Sequence, residues 1–229
     1  MWFKNNHDSM AINIQGVELM PFNYQNDVGR MRQATVTYWR RLASRVVGTA
    51  QRTSDTNAQA ILPPNDRNCV AVVDSGIYAH SPAVAMNQWH SPSVRAVFPS
   101  LNVHPAYSQV HDTADLKHAE MKMLDHCMRH MGTVPEYIGI SKPACLRCTV
   151  VLVIAGVNFN STSEGIWNAG WAYPDFIINN EENLKRFIGD AETKFVANDG
   201  NTYEVLAVYS SMTDRQKREY ISSLKSVQN

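Results

Sequence analysis

Residues 118–120 read His-Ala-Glu, and residues 143–148 read Pro-Ala-Cys-Leu-Arg-Cys. One imidazole and two thiols in this order suit a zinc ion. Three protein ligands leave a fourth position for water, which is the arrangement of a reactive centre, whereas a closed structural site takes a fourth side chain. Cys145 and Cys148 stand three apart, neighbours over one helical turn, and at a helix N-terminus the unpaired amides and the dipole favour their thiolates. His118, Cys145 and Cys148 are therefore the candidate metal ligands. His118 and Glu120 do not share a face of an ideal helix, but they can converge on an open site from a first turn. A carboxylate beside a metal-activated water can take its proton and pass it on, which makes Glu120 the candidate catalytic acid–base residue. A Cys-x-x-Cys pair alone also fits a redox motif or half of a structural zinc site.

The flanking sequence supplies elements to carry these residues. Residues 68–80, Asn-Cys-Val-Ala-Val-Val-Asp-Ser-Gly-Ile-Tyr-Ala-His, read as a strand, a Ser-Gly turn and a second strand. A helix is expected over 114–131, ending at Gly132, then a short strand within 134–141. From Cys145 to about Val157 the pattern is a buried helix, ambiguous with a strand because Val150 to Ile154 is rich in β-branched residues. Residues 81–112 are irregular and long for a plain loop. Upstream, Val28 to Arg52 is helix-like, and Thr53 to Asp66, with Pro63-Pro64, reads as a linker. Downstream, a helix is expected over 180–190, a hairpin over 194–210 about Asn198-Asp199-Gly200-Asn201, and a helix over 213–227 capped by Thr213. Cys69 and Cys127, with Met123 and Met131, read as core, and His126 and His130 as partly buried or surface residues. The order of elements implies a layered α/β domain.

The His-x-Glu and Cys-x-x-Cys constellation resembles the zinc-dependent cytidine-deaminase-like superfamily. His118-Ala119-Glu120-Met121-Lys122-Met123-Leu124 and Tyr137-Ile138-Gly139-Ile140-Ser141-Lys142 look most like its toxin-type and fungal nucleic-acid deaminase branch. The resemblance covers about residues 66–175. It implies a three-layer α/β/α fold with a mixed central sheet, one zinc per chain on His118, Cys145 and Cys148, and acid–base work by Glu120. The expected organisation is an N-terminal helical extension over 1–65 and a deaminase domain over 66–229, with a C-terminal hairpin plus helix. One departure stands out: proline lies two residues before Cys145, with Ala144 between, and this weakens transfer of the substrate contacts made there.

The implied reaction is hydrolytic deamination of cytosine in single-stranded DNA or RNA. Ala119, Ser141, Lys142, Pro143, His80 and Trp171 are the candidate substrate contacts; Lys142 could meet a phosphate, and His80 and Trp171, like Trp89, Trp167, Tyr173 and Tyr78, could stack on bases. Lys plus Arg and Asp plus Glu are equal at 21 each, so the chain is not basic throughout. Six arginines (Arg30, Arg32, Arg40, Arg41, Arg45, Arg52) nevertheless fall within Val28–Arg52 with no acid among them. They fit a phosphate track or a solvated helix face equally well. A free nucleoside or nucleotide as substrate, or an inactive zinc-stabilised binding module, are the alternatives. A toxin-type enzyme would also need an immunity protein as partner. Four cysteines are too few for a disulfide scaffold, the longest apolar run (Val150–Val157) is far short of the roughly 20 residues of a membrane span, and no signal peptide is legible, so no membrane association and a cytoplasmic location are expected.

Overall fold

The computed structural model describes residues 13–14, 17–18, 23–61, 69–73, 77–80, 118–167 and 171–227. The expectations on Pro63-Pro64, on 81–112 with Trp89, and on 114–117 lie outside the described residues, as do the side chains of Tyr78 and His80.

Two short strands, β1 (Asn13–Ile14) and β2 (Val17–Glu18), pair antiparallel ahead of the first long helix, α1 (Tyr24–Ser44). Asn23 caps α1 by accepting from the Asn26 amide, so the helix opens four residues before Val28. It also stops eight residues before Arg52, for a tertiary reason. Both the amide and the hydroxyl of Thr49 donate to the Phe159 carbonyl, at 3.3 and 3.0 Å. A Cβ at Gly48 would lie 2.2 Å from the Asn160 carbonyl oxygen, so only glycine lets the chain pass this close to residues 159–160.

The stretch read as a linker is instead helical over α2 (Thr53–Ile61). Its polarity misled, because the buried residues described on it are Ser54, Asp55 and Ala58. Asp55 is fully buried and holds this corner together. Its carboxylate accepts from the Arg52 amide (2.8 Å), from the Ile140 amide (3.0 Å) and from the Tyr137 hydroxyl.

The two strands pair as expected: β3 (Val70–Val73) runs antiparallel to β4 (Ile77–His80), Val70 opposite His80 and Val73 opposite Ile77, and the Ser-Gly turn between them lies outside the described residues. On its other edge β3 pairs antiparallel with β5 (Gly139–Ile140), giving the order β4-β3-β5. Parallel bridges, Tyr137 with Asn158 and Ala144 with Thr162, continue the backbone pairing beyond β5. Helix α2 packs on β3 and β5, so closely that a Cβ at Gly139 would lie 2.3 Å from the Ser54 carbonyl carbon.

Helix α3 (Ala119–His126) packs on β3 and β4 and runs into a π-helical turn over Cys127–Met131, closed by Gly132 at φ 68°. Cys127 and Met123 are core, but Met131 is 49 % exposed, because the π turn rotates it off the apolar stripe. The β-branched run resolves as helix α4 (Leu146–Ala155), ended by Gly156 at φ 74°.

The remaining elements are α5 (Asp175–Ile178), α6 (Glu181–Ile188), the hairpin β6 (Lys194–Val196) and β7 (Thr202–Glu204), α7 (Val205–Ser211) and α8 (Asp214–Lys225). The hairpin ends at Glu204, and Val205 to Ser210, expected as strand, belongs to the helix α7. Thr213 caps α8 as expected, in a reciprocal box with Gln216. Helix α1 docks across the end of α6. Thr35, Tyr38 and Trp39 donate to the carbonyls of Ile188, Arg186 and Phe187 at 2.7–2.8 Å, satisfying acceptors that a helix leaves free at its C-terminus. Helix α1 also packs on α4 and α8, so its Met31 and Trp39 share one apolar core with Cys148 and Leu224. The whole is a mixed α/β arrangement of helices on small sheets. No described helix is long and apolar enough to cross a membrane.

Two substitutions test the α2 corner. Asp55→Ala strips two buried donors and one half-buried donor of their acceptor and should lower unfolding free energy by about 3 kcal/mol in urea melts. Gly139→Ala must push α2 off β5 and should cost about 1–3 kcal/mol. Wild-type stability in either variant contradicts this packing.

Candidate metal centre

His118 is the N-cap of α3 and Cys145 the N-cap of α4, each with extended backbone and neither making a side-chain cap bond. Their carbonyls accept the first intrahelical bonds, from Lys122 (2.9 Å) and Thr149 (2.8 Å). The side chains turn toward each other at the two helix starts. His118 Nδ1 lies 3.5 Å from Cys145 Sγ and 3.4 Å from Cys148 Sγ, and the three ligand atoms all fall within 4.8 Å of one another. Metal–sulfur and metal–nitrogen bonds of about 2.3 and 2.05 Å at the tetrahedral angle set nitrogen and sulfur about 3.5 Å apart. The observed separations match that edge length, so the group fits a tetrahedral ion such as zinc. Among the described residues this is the one His/Cys/Asp/Glu cluster with metal-holding spacing.

The electrostatics agree. Cys148 donates to Cys145 and holds the Cys145 thiol well below its ordinary range, against the cost of burial. Burial and the charge on Cys145 push Cys148 well above that range. The pair therefore yields its first proton readily and keeps its second until a cation offsets the added charge.

Glu120, in the first turn of α3, is 3 % exposed. Burial raises its carboxyl to about 7, the His118 charge opposing the shift and Cys145 adding to it. Its Oε2 is buried with no hydrogen-bond partner. An orphaned carboxylate oxygen beside two thiols and an imidazole fits a site whose remaining occupant, a water or a substrate amine, supplies the missing partner.

The other sequence candidates are placed as follows. Ala119 is fully buried at the start of α3. The Ser141 amide donates to the Val70 carbonyl and its hydroxyl accepts from the Val70 amide, both at 2.9 Å, which prolongs the β3–β5 ladder. Lys142 is half-buried and Pro143 exposed, immediately before the ligand loop. His80 ends β4 opposite Val70. Trp171 is buried; its ring stacks on Phe187 at 6.1 Å and meets Tyr173 edge-on at 5.0 Å. Its indole nitrogen finds no acceptor within range, although it is close enough to Cys148 to favour that anion.

Of the six arginines, Arg41 pairs with Asp190 (2.7 Å) and Glu192 (3.5 Å), and Arg52 pairs with Glu136 (3.1 Å) over the Tyr137 ring. Arg30, Arg40 and Arg45 are exposed.

Sequence reasoning missed the segment 159–165, which forms the wall beside the ligand loop. Ala144 donates to Ser161, Ser163 to Ala144 and Leu146 to Gly165, all at 2.8–3.0 Å. Just beyond this wall, Trp167 is 65 % exposed. Arg147 was also missed; the only signal was its place between the two cysteines.

Residues 117–175 match the model of a family described as OTT_1508-like deaminases. No curated protein and no solved structure matches the chain. The matched segment begins one residue before His118 and runs past Cys148 and Trp171, so it takes in the whole cluster and its wall. Over that segment the chain is similar to deaminases, and the activity this supports is that of a deaminase.

Proposed function

We propose that the protein is a zinc-dependent hydrolytic deaminase acting on cytosine in single-stranded DNA or RNA. The observation that carries the reading is the meeting of His118, Cys145 and Cys148 at tetrahedral spacing, with the unpartnered Glu120 oxygen beside them. Zinc held there would supply a water of lowered pKa. Glu120 Oε2 takes a proton and delivers it toward the base, its raised pKa suiting a group that must both accept and donate near neutrality. The reaction exchanges the ring amino group for the oxygen of water and releases ammonia. Burial of Cys145, Cys148 and Glu120 keeps bulk water from competing for that proton.

The antiparallel β4-β3-β5 sheet with α2 and α3 against it is compatible with the three-layer α/β/α fold implied by the resemblance, with residues 23–61 as a helical extension and the β6–β7 hairpin and α8 as a C-terminal elaboration. The polymer part of the reading is supported by Trp167. Trp167 is 65 % exposed, and it follows directly on the segment bonded to the ligand loop. A flat, open ring beside a deaminase site is a platform for a flanking base. Exposed Arg30, Arg40 and Arg45 would add sequence-independent attraction for phosphate. Such an enzyme is toxic to a cell that holds it unchecked, so an immunity protein goes with this reading, as does a cytoplasmic site of action.

Three variants test the assignment. Cys145→Ser should drop zinc content from one per chain toward none by elemental analysis. Glu120→Gln should keep the metal and lose about 10²–10⁴-fold in turnover of cytosine-containing oligonucleotides. Trp167→Ala should weaken oligonucleotide binding by about 1–3 kcal/mol in fluorescence titrations while leaving zinc content unchanged. Turnover of cytidine or deoxycytidine alone, with no conversion in any oligonucleotide, overturns the polymer substrate.

A further inference from the structure

Arg147 occupies an awkward place. It lies in the first turn of α4, where the helix dipole disfavours a cation, and it is fully buried, where an arginine is rare and costs stability unless compensated. The compensation is specific. Its Nη2 donates to the Val227 carbonyl at 2.7 Å, just beyond the end of α8. Its guanidinium sits 5.1 Å from the centroid of the Trp171 ring, in cation–π contact. A second link runs in parallel: Tyr173, edge-on to Trp171, donates its hydroxyl to the Ile221 carbonyl of α8 at 2.8 Å. Helix α8 is therefore fastened to the Cys145–Cys148 turn twice, once directly through Arg147 and once through Tyr173 and Trp171.

We propose that Arg147 is a positioning residue for the metal centre, a buried cation that locks the Cys145–Cys148 turn against Trp171 and the C-terminal helix, so that metal affinity depends on the contact with Val227. The inference rests on the reading of His118, Cys145 and Cys148 as metal ligands, and it gives the C-terminal elaboration a role at the site. The lock works in two ways. Arginine's planar head bonds the carbonyl and stacks on the indole at once, which fixes the backbone between the two thiols and lowers the ordering needed when a metal arrives. The guanidinium also brings a fixed positive charge into the helical turn that carries both thiols, which favours their ionised forms.

The test is cobalt(II) titration of the full-length protein, read by the sulfur-to-cobalt charge-transfer band, on wild type, Arg147→Met, Arg147→Lys and a variant lacking residues 226–229, which leaves α8 whole. Arg147→Met and the deletion should each weaken cobalt binding about 10–100-fold with one site still filled at saturation. Arg147→Met should also move the band to lower energy, because thiolates without the cation give up charge more easily; a merely structural loss does not move it. Arg147→Lys keeps the charge but not the stacked fork, and should retain the wild-type band energy with reduced affinity. Wild-type affinity in the deletion variant, or in a folded Arg147→Met, overturns the proposal. If Arg147→Met fails to fold, the deletion variant alone decides. A wild-type protein that takes up no cobalt is a different result: it overturns the ligand assignment itself and this inference with it.

Discussion

Two helix N-termini facing one another govern this protein. His118 caps α3 and Cys145 caps α4 with extended backbone, so each helix presents its free amides and the positive end of its dipole to the same small volume. Thiolates placed there are favoured, and a divalent ion held between them would neutralise them. The sheet and the segment beside the ligand loop keep those two starts in register. The β3–β4 hairpin seats α3, and the β3–β5 pairing, prolonged by Ser141, fixes where the chain turns into the ligand loop. On the far side, residues 159–165 hold Ala144 and Leu146 by their backbones.

The second support is an aromatic seam behind the ligands. Trp39 of α1 lies 4.9 Å from Phe187 of α6, and Phe187 stacks at 6.1 Å on Trp171, which neighbours Cys148. Because the Trp39 indole also donates to the Phe187 carbonyl, α1 orients the ring that orients Trp171. The helices outside the matched segment thus bear on the site through packing, and α8 adds its own ties through Val227 and Ile221. In a close-packed interior such contacts transmit displacement, so changes well away from the cysteines are felt at the thiols.

What the sequence made legible is what local chemistry dictates. The order His118, Glu120, Cys145, Cys148, the antiparallel pairing of β3 with β4, the glycine stop at Gly132 and the Thr213 cap all depend on neighbours a few residues apart. What was misread depends on partners far along the chain. Helix α1 ends early because Thr49 binds Phe159, and α2 was read as linker because its anchor is one buried aspartate whose partners include Tyr137 and Ile140. The strand expected to run to Ser210 becomes helix at Val205, where β-branching and aromatics matched either state until α7 packed on α1 and α6. Nothing local to Arg147 signals its burial, since only the folded chain brings Val227 to it.

The account stands or falls on the composition of the first coordination sphere. X-ray absorption at the zinc edge of the purified, zinc-loaded protein measures it directly. Two sulfurs at about 2.3 Å and two lighter atoms at about 2.0–2.1 Å, one from His118 and one from solvent, are the predicted result. Four sulfurs, or a shell of oxygen and nitrogen alone, would contradict it.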